Sequence, residues 1–263
     1  MTDNNRDVYD ILLNKSFHET ASKLGTRYSV MGGVALSAVT HADSVDWDGR
    51  TIGISSEVRL PQYRENGTRR DLDILFHSIN KDFMNRSSQQ IREAIDGELT
   101  VSAFRLWDYN ENKLGYFDFL GRQYVDQSDR TFWRTSGIET ELPASSLEAW
   151  NVIREDRVVC EVLNPVAQLG AYMNRSIGGE RLKDKDKIIE LRNIIMPSGK
   201  IKDIPAAYRE QYIAFMEQSQ KIREAACGIG LVALKAGLVR RIEQYSWATS
   251  LIQNYEEFKT SYL

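Results

Sequence analysis

Two aspartates one residue apart, Asp71 and Asp73, lie within an otherwise apolar run, DLDILF. Because side chains alternate between the two faces of a strand, both carboxylates point one way, while Leu72, Ile74 and Phe76 point into a core. Carboxylates a few ångströms apart repel each other unless a cation neutralises them. Mg²⁺ is the expected cation, since it prefers hard oxygen ligands and commonly uses one or two carboxylates with substrate phosphates. The alternative is an exposed strand face or a strand end.

A glycine pair, Gly32 and Gly33, separates the strand candidate RYSVM from the helix candidate VALSAV. Paired glycines at such a junction let a ligand approach the backbone closely. The helix N-terminus beyond them offers N–H groups and the positive end of a dipole to an anion. This arrangement predicts a phosphate-binding turn, with Ser37, one helical turn further on, facing the same pocket. A plain tight turn and a helix-packing or solvent-facing serine are the alternatives.

A third carboxylate, Asp118 in the motif YFDFLG, has the same apolar-Asp-apolar setting, on a strand that can lie beside the first. Three carboxylates carry a charge of about −3, which suits two divalent cations and leaves positive charge for a polyphosphate. The phosphate turn, the carboxylate pair and the third carboxylate together predict a site for Mg²⁺ and a polyphosphate.

Periodicity divides the chain into a first part of alternating helices and strands and a second part that is almost wholly helical. In the first part we predict one helix over residues 6–24 and a short hairpin of TIGI with VRL. We also predict a helix opened by the capping box Ser87–Gln90, and an antiparallel hairpin of LTVSAFRLWDY with KLGYFDFLGRQYV. This order predicts an α+β domain, a mixed β-sheet with flanking helices, over residues 1–150.

The second part, residues 151–263, predicts a mainly helical domain. A capping box of Ser145 with Glu148 stands at the boundary, before the last strand candidate, RVVCEVL. Asn164 and Pro165 are the residue types favoured at the N-cap and at the first helical position. The helices predicted from there on are 165–176, 183–195, 205–225 and 229–259.

Composition argues against several classes of function. The net charge is −3 and the sequence pI is about 5.8, so the chain has no overall positive field of the kind that coats nucleic acid. Its cysteines, Cys160 and Cys227, and its histidines match no zinc-site spacing. The N-terminus lacks the layout of a signal peptide, and the most apolar late stretch, CGIGLVALKAGLV, is too short to span a bilayer. We therefore expect a cytoplasmic protein with no membrane partner.

The order of strand, glycine pair and helix, then Asp-apolar-Asp, then an aspartate on a later strand, resembles the nucleotidyltransferase superfamily with the DNA polymerase β-like fold. The stretch PVAQLGAYMNRSIGGERLKDKDKIIEL is similar to the P…L…R…R-x-KD…I…L stretch of bacterial nucleotidyltransferases of the abortive-infection and toxin type, and of some antibiotic-modifying relatives. The resemblance covers about residues 27–192. It implies a catalytic domain followed by a helical domain.

For individual residues, the resemblance implies that Gly32 and Gly33 hold the triphosphate. It also implies three carboxylates that bind Mg²⁺ and serve catalysis: Asp71, Asp73 and Asp118. The resemblance further implies that Asp118 helps to deprotonate the acceptor hydroxyl. Further polar groups are implied near the nucleotide, at Arg181, Lys183 and Asp184.

The implied reaction moves a nucleoside monophosphate from a Mg²⁺-bound nucleoside triphosphate, such as ATP, to a hydroxyl of RNA, a protein or a small molecule, and releases pyrophosphate. A toxin or defence enzyme with an antitoxin partner is the implied biological class. The alternatives are a non-catalytic nucleotide-binding or regulatory module and a partner-binding protein that retains the fold.

The stretch between Gly33 and Asp71 is much longer than is usual in the superfamily. It contains five arginines within residues 50–70, whose planar forks match phosphate geometry: Arg50, Arg59, Arg64, Arg69 and Arg70. We predict a lid over the triphosphate or a flap that docks the acceptor, with a solvated loop as the alternative. Arg70, directly before the carboxylate pair, is the arginine predicted to contact the nucleotide.

Overall fold

The structure is a computed structural model that describes residues 5–25, 27–76, 81–95, 97–105, 107–109, 113–118, 121–126, 131–135, 138–142, 148–177, 185–217 and 220. The description of side chains leaves out 81–84, 103–142, 171 and 174–177. The chain divides into two compact units: Met1–Phe117 with Leu147–Asn164, and Asp118–Ser146 with Pro165–Leu263. The domain division at residue 150 stays a prediction.

The described helices and strands follow in chain order: α1 (Val8–Asn14), α2 (Phe17–Ser22), β1 (Tyr28–Met31), α3 (Gly32–Thr40), β2 (Ser44–Asp46), β3 (Thr51–Gly53), β4 (Asp71–Phe76), α4 (Lys81–Ile95), β5 (Thr100–Arg105), β6 (Trp107–Tyr109), β7 (Lys113–Asp118), β8 (Gly121–Asp126), β9 (Thr131–Thr135), β10 (Ile138–Leu142), β11 (Ala149–Arg154), β12 (Arg157–Leu163), α5 (Pro165–Ile177), α6 (Lys185–Ile195) and α7 (206–217).

A seven-stranded sheet organises the first unit, in the order β2-β3-β11-β12-β1-β4-β5. β1 runs parallel to β12 and antiparallel to β4, and β4 runs parallel to β5. Helices α1 and α2 pack on β12, α3 packs on β1 and β4, and α4 packs on β5. The predicted α+β class, a mixed sheet with flanking helices, is confirmed.

The central strands of this sheet are buried because their sequences are apolar on both faces. Every residue of β1 is buried, and Leu72, Ile74, Leu75 and Phe76 of β4 are each 0% exposed. Burial of such side chains is the main source of stability in a sheet of this kind. The polar residues of β4 are confined to its first half, which is where the candidate site lies.

The predicted helix over residues 6–24 is two helices, α1 and α2, separated at Lys15 and Ser16. Ser16 has φ +49°, in the left-handed region. The break turns Phe17 into the core, where its ring meets the ring of Tyr28 edge-on with centroids 5.6 Å apart. Burial of this aromatic side chain outweighs the continuous helical periodicity.

Neither predicted capping box opens a helix in the described residues, and Ser145 itself lies outside them. Ser87 is 1% exposed and lies inside α4 rather than at its start. Glu148 precedes a strand, β11, in which Trp150, Val152 and Arg154 are buried and alternate with half-buried residues. β11 pairs with β3 on one side and β12 on the other, so its backbone groups find partners that a local helix signal does not reveal. The hairpin predicted for TIGI with VRL is also different, since β3 pairs with β2.

The predicted hairpin of LTVSAFRLWDY with KLGYFDFLGRQYV is confirmed only for β6 and β7, which pair antiparallel, because β5 pairs parallel with β4 in the seven-stranded sheet. In the second unit, β8, β9 and β10 pair antiparallel in sequence order. α5 begins at Pro165, as predicted, and packs so closely on α7 that a Cβ at Gly170 would lie 2.2 Å from the ring of Phe215. The second unit is helical over residues 165–177, 185–195 and 206–217, and the helix predicted at 229–259 lies outside the described residues. Within the described part of the chain, no helix is long and apolar enough to cross a membrane.

Candidate active site

The glycine turn and the carboxylate pair meet because β1 and β4 are antiparallel neighbours. Their register pairs Met31, the last residue of β1, with Asp73. Continuing that register by two residues brings Asp71 level with Gly33, where the chain has left the sheet and entered α3. Both carboxylates therefore lie at the end of the sheet where the N-terminus of α3 begins.

The two glycines of the turn have different roles in the backbone. Gly32 is buried and has φ +67°, a conformation that other residues adopt only with strain. Gly33 is exposed, and a Cβ added to it would meet no atom within 4 Å. The N-cap residue, Met31, makes no side-chain hydrogen bond to the first turn of α3. The fold therefore requires a glycine at 32, while the open space beside Gly33 is where an anionic ligand can approach the helix N-terminus.

The carboxylates lie on one face of β4. Asp71 and Asp73 are both partly exposed, whereas Leu72 and Ile74 are 0% exposed. This alternation places the two acidic side chains side by side at the surface and separates them from the apolar core.

These carboxylates suit a cation that arrives together with a nucleotide. Among the described side chains, no group of three or more His, Cys, Asp and Glu residues could hold a metal ion. Asp118 is the last residue of β7, and its side chain is outside the description. The prediction that its strand lies beside that of the carboxylate pair is wrong, because β7 pairs with β6 while the neighbours of β4 are β1 and β5. Two carboxylates are nevertheless an adequate protein contribution for Mg²⁺, which keeps several waters and takes other ligands from substrate phosphates. Asp71 and Asp73 would hold it here.

The insertion between the motifs ends in a β-hairpin, residues 61–70, which we call the arginine hairpin. The amide of Arg70 donates to the carbonyl of Gln62 at 2.8 Å, and the amide of Arg64 donates to the carbonyl of Thr68 at 2.9 Å. Gly67, with φ +75°, forms the turn. The hairpin leads directly into β4, so its last residue, Arg70, is next to Asp71 in the chain.

Three arginines of this hairpin have different partners. Arg64 Nη2 donates a 2.7 Å hydrogen bond to Oδ2 of Asp71. Arg70 Nε donates to the carbonyl of Pro61 at 2.8 Å. Burial lowers the pKa of Arg70, and the nearby charge of Arg64 lowers it further. Arg69 donates instead to the carbonyl of Gly97. Of these three arginines, Arg64 is therefore the one that contacts the carboxylate pair, and Arg70 lies close enough to interact with its charge.

The N-terminal segment holds the base of the arginine hairpin. The amide of Val8 donates to the carbonyl of Leu60, and the amide of Gln62 donates to the carbonyl of Arg6, both at 2.8 Å. The side chain of Gln62 also donates to the carbonyl of Glu98 at 2.7 Å. Backbone pairing with the N-terminal segment and the side-chain hydrogen bond to Glu98 fix where the hairpin enters β4.

A buried ion pair secures the same base. Oδ1 of Asp7 accepts a 2.8 Å hydrogen bond from the amide of Leu60, and Oδ2 accepts one from Nη1 of Arg154. Nη2 of Arg154 donates to the carbonyl of Ser56 at 2.7 Å. This pair could not be predicted from the sequence, because its partners are 147 residues apart and neither stands in a recognisable motif.

The remaining predicted site residues are distributed as follows. Ser37 is buried, and its side chain hydrogen-bonds to Tyr9, whose hydroxyl donates to the carbonyl of Val34 at 3.2 Å. This contact joins α3 to α1. Lys183, like its neighbours Arg181 and Asp184, lies outside the described residues.

No protein-family model matches this chain, and no curated protein matches it. Among solved structures, the chain is similar to the antibiotic-resistance factor ANT(2'')-Ia, with 15% identity, a TM-score of 0.35, and coverage of 88% of this chain and 98% of that chain. It is also similar to an antigenic nucleotidyltransferase-like protein from Paracoccidioides brasiliensis, with 12% identity, a TM-score of 0.40, and coverage of 93% and 94%. At this level of similarity, neither protein's activity transfers to this chain.

Proposed function

We propose that the protein transfers a nucleoside monophosphate from a Mg²⁺-bound nucleoside triphosphate to a hydroxyl acceptor. The observation that supports this most strongly is the register of β1 and β4, which brings Asp71 and Asp73 to the turn at Gly32 and Gly33. A phosphate-binding turn and a carboxylate pair at one end of a sheet are the two parts that such a reaction needs.

In the proposed reaction, the acceptor oxygen forms a bond to the α-phosphorus, the bond between that phosphorus and the bridging oxygen breaks, and pyrophosphate leaves. The proton of the hydroxyl passes to a base, for which Asp118 remains the prediction. Bound Mg²⁺ would supply charge neutralisation and a lower pKa for the attacking hydroxyl. The chain's own contribution is positioning: the backbone of the glycine turn and the N-terminus of α3 orient the triphosphate.

The acceptor follows only from the sequence resemblance. RNA and protein hydroxyls are the acceptors we propose to test first, with a small molecule third, and a toxin or defence enzyme silenced by an antitoxin is the proposed setting. The label from an α-labelled nucleoside triphosphate should appear on one of these acceptors.

A non-catalytic nucleotide-binding or regulatory module is the second candidate, favoured by one contact. The Arg64 guanidinium already partly neutralises Asp71, as a protein without catalytic cations requires. Nucleotide binding with no pyrophosphate release on any acceptor would favour this candidate.

The first experiment is thermal unfolding with each nucleoside triphosphate, with and without Mg²⁺, for the wild type and for Asp71→Asn/Asp73→Asn. A ligand at about 100 times its Kd stabilises the folded state by about 2.7 kcal/mol. We expect a Mg²⁺-dependent rise in Tm that the double variant loses. Asp48→Asn, an exposed aspartate near the β2 edge of the sheet, is the matched control and should keep the rise. Equal shifts in wild type and double variant would exclude the proposed site.

A further inference from the structure

We propose that Arg64 is a triphosphate-binding residue that rests on Asp71 while the site is empty of nucleotide. The contact that carries this inference is the 2.7 Å hydrogen bond between Nη2 of Arg64 and Oδ2 of Asp71. It places the guanidinium on a carboxylate that the proposed function assigns to a cation. The inference rests on that proposed function, and it adds a second role for the arginine hairpin: exchange of an internal partner for a substrate.

The Arg64–Asp71 contact is easy to exchange. The two side chains are 46% and 40% exposed. Water competes for both groups at such exposure. An ion pair of this kind therefore changes the equilibrium constant of folding by a factor of about five at most. The pair can therefore break without loss of the fold.

The backbone of Arg64 is held while its side chain lies at the surface. The Arg64 amide donates to Thr68, and its carbonyl accepts a 2.8 Å hydrogen bond from the amide of Gly67. Rotation of the side chain alone can therefore move the guanidinium away from Asp71. It remains at the end of the sheet where Gly33 and the N-terminus of α3 lie.

Once Asp71 binds a metal ion, the positive charges of the two nearby arginines need an anion as a new counter-charge. Arg64 and Arg70 lie close enough for the charge of each to oppose that of the other. When Asp71 serves as a metal ligand, the Arg64 guanidinium loses its counter-charge beside a second arginine. A phosphate group restores the balance and matches the planar fork of arginine with two parallel hydrogen bonds. The triphosphate is the group of this kind that the proposed reaction brings to the site.

This exchange of partners predicts two effects of opposite sign for Arg64→Ala. Without nucleotide, Mn²⁺ should bind about threefold more tightly, because Asp71 no longer has a competing partner. With Mg²⁺ present, inorganic tripolyphosphate should bind about tenfold more weakly, because a charge-assisted hydrogen bond is lost. A residue with a merely structural role would weaken both or change neither.

The test is isothermal titration calorimetry of the 263-residue chain with Mn²⁺ alone, and with tripolyphosphate in the presence of Mg²⁺. Arg64→Lys keeps the charge without the fork and should lie between wild type and Arg64→Ala for tripolyphosphate. Arg27→Ala removes an exposed arginine at the end of β1 opposite the glycine turn and should match the wild type in both titrations. Circular dichroism of each variant confirms that it is folded.

Three outcomes would overturn the inference. Unchanged Mn²⁺ affinity in Arg64→Ala would show that Arg64 does not compete for Asp71, and unchanged tripolyphosphate affinity would show that it does not bind phosphate. Equal losses in Arg27→Ala and Arg64→Ala would show a general charge effect. If tripolyphosphate binding is lost in Asp71→Asn/Asp73→Asn but kept in Arg64→Ala, only this inference fails. If neither change affects it, the proposed function fails as well.

Discussion

The Asp7–Arg154 and Arg64–Asp71 pairs join the same two chemical groups in opposite surroundings. The side chains of Asp7 and Arg154 are each 3% exposed, whereas those of Arg64 and Asp71 are about half exposed. A buried charge that loses its partner has neither water nor a counter-charge to replace it, while an exposed charge is solvated at once. The first pair therefore serves the fold, and the second is available to a ligand.

The two pairs also hold one segment at different points. The buried pair secures the base of the arginine hairpin through Leu60 and Ser56, and the exposed pair joins Arg64 within the hairpin to Asp71, the first residue of β4. A segment fixed at its base can present a side chain at a constant position while that side chain changes its partner. A fixed base and an exchangeable side-chain contact are the two properties expected of an insertion that contributes to a binding site.

The largest expected effect comes from breaking the buried pair. Arg154→Met should lower the free energy of unfolding by about 3–5 kcal/mol, because the Asp7 carboxylate is left buried without a counter-charge. Urea denaturation followed by circular dichroism measures the change.

Asp7→Asn/Arg154→Met separates charge from packing. Asparagine keeps a carbonyl oxygen that can accept the hydrogen bond from the amide of Leu60, so the double variant should recover much of the lost stability. A double variant as unstable as Arg154→Met would contradict the electrostatic explanation.

The two glycines of the turn show the same contrast between a residue that serves the fold and a residue that serves the ligand. Gly32→Ala should lower the free energy of unfolding by about 1–2 kcal/mol, since alanine is strained at φ +67°. Gly33→Ala should change it by less than about 0.5 kcal/mol, since a Cβ there meets no protein atom. Its effect should instead be a smaller Mg²⁺–ATP shift in Tm, because the Cβ occupies the space in which the triphosphate approaches the backbone. Wild-type nucleotide binding by Gly33→Ala would remove the glycine turn from the proposed site.

Local patterns were sufficient to predict the elements that carry the site. The run DLDILF forms β4 as predicted, since its apolar residues repeat at the period of a strand. The glycine pair marks the start of α3, and Pro165 marks the start of α5, because each residue type is favoured at these positions by its own backbone geometry.

What the patterns did not reveal depends on contacts between distant parts of the chain. The capping-box pattern at Glu148 was a local signal, whereas β11 is a strand because two neighbouring strands pair with it. The Asp7–Arg154 pair has no signature in either segment. The arginine-rich insertion was predicted as a lid, a flap or a loop, and pairing with the N-terminal segment is what gives its last part a fixed hairpin.

The smallest expected effect is the most direct test of the contrast between the buried and the exposed ion pair. Arg64→Ala should lower the free energy of unfolding by less than about 1 kcal/mol at low salt, because its ion pair is exposed. In 1 M NaCl the screening length falls to about 3 Å, so this difference should vanish, while the loss caused by Arg154→Met should persist. Urea titrations of both variants at low and high salt measure the contrast. A loss in Arg64→Ala that survives high salt would mean that the Arg64–Asp71 pair is a structural contact, and an arginine needed by the fold could not be exchanged for a phosphate.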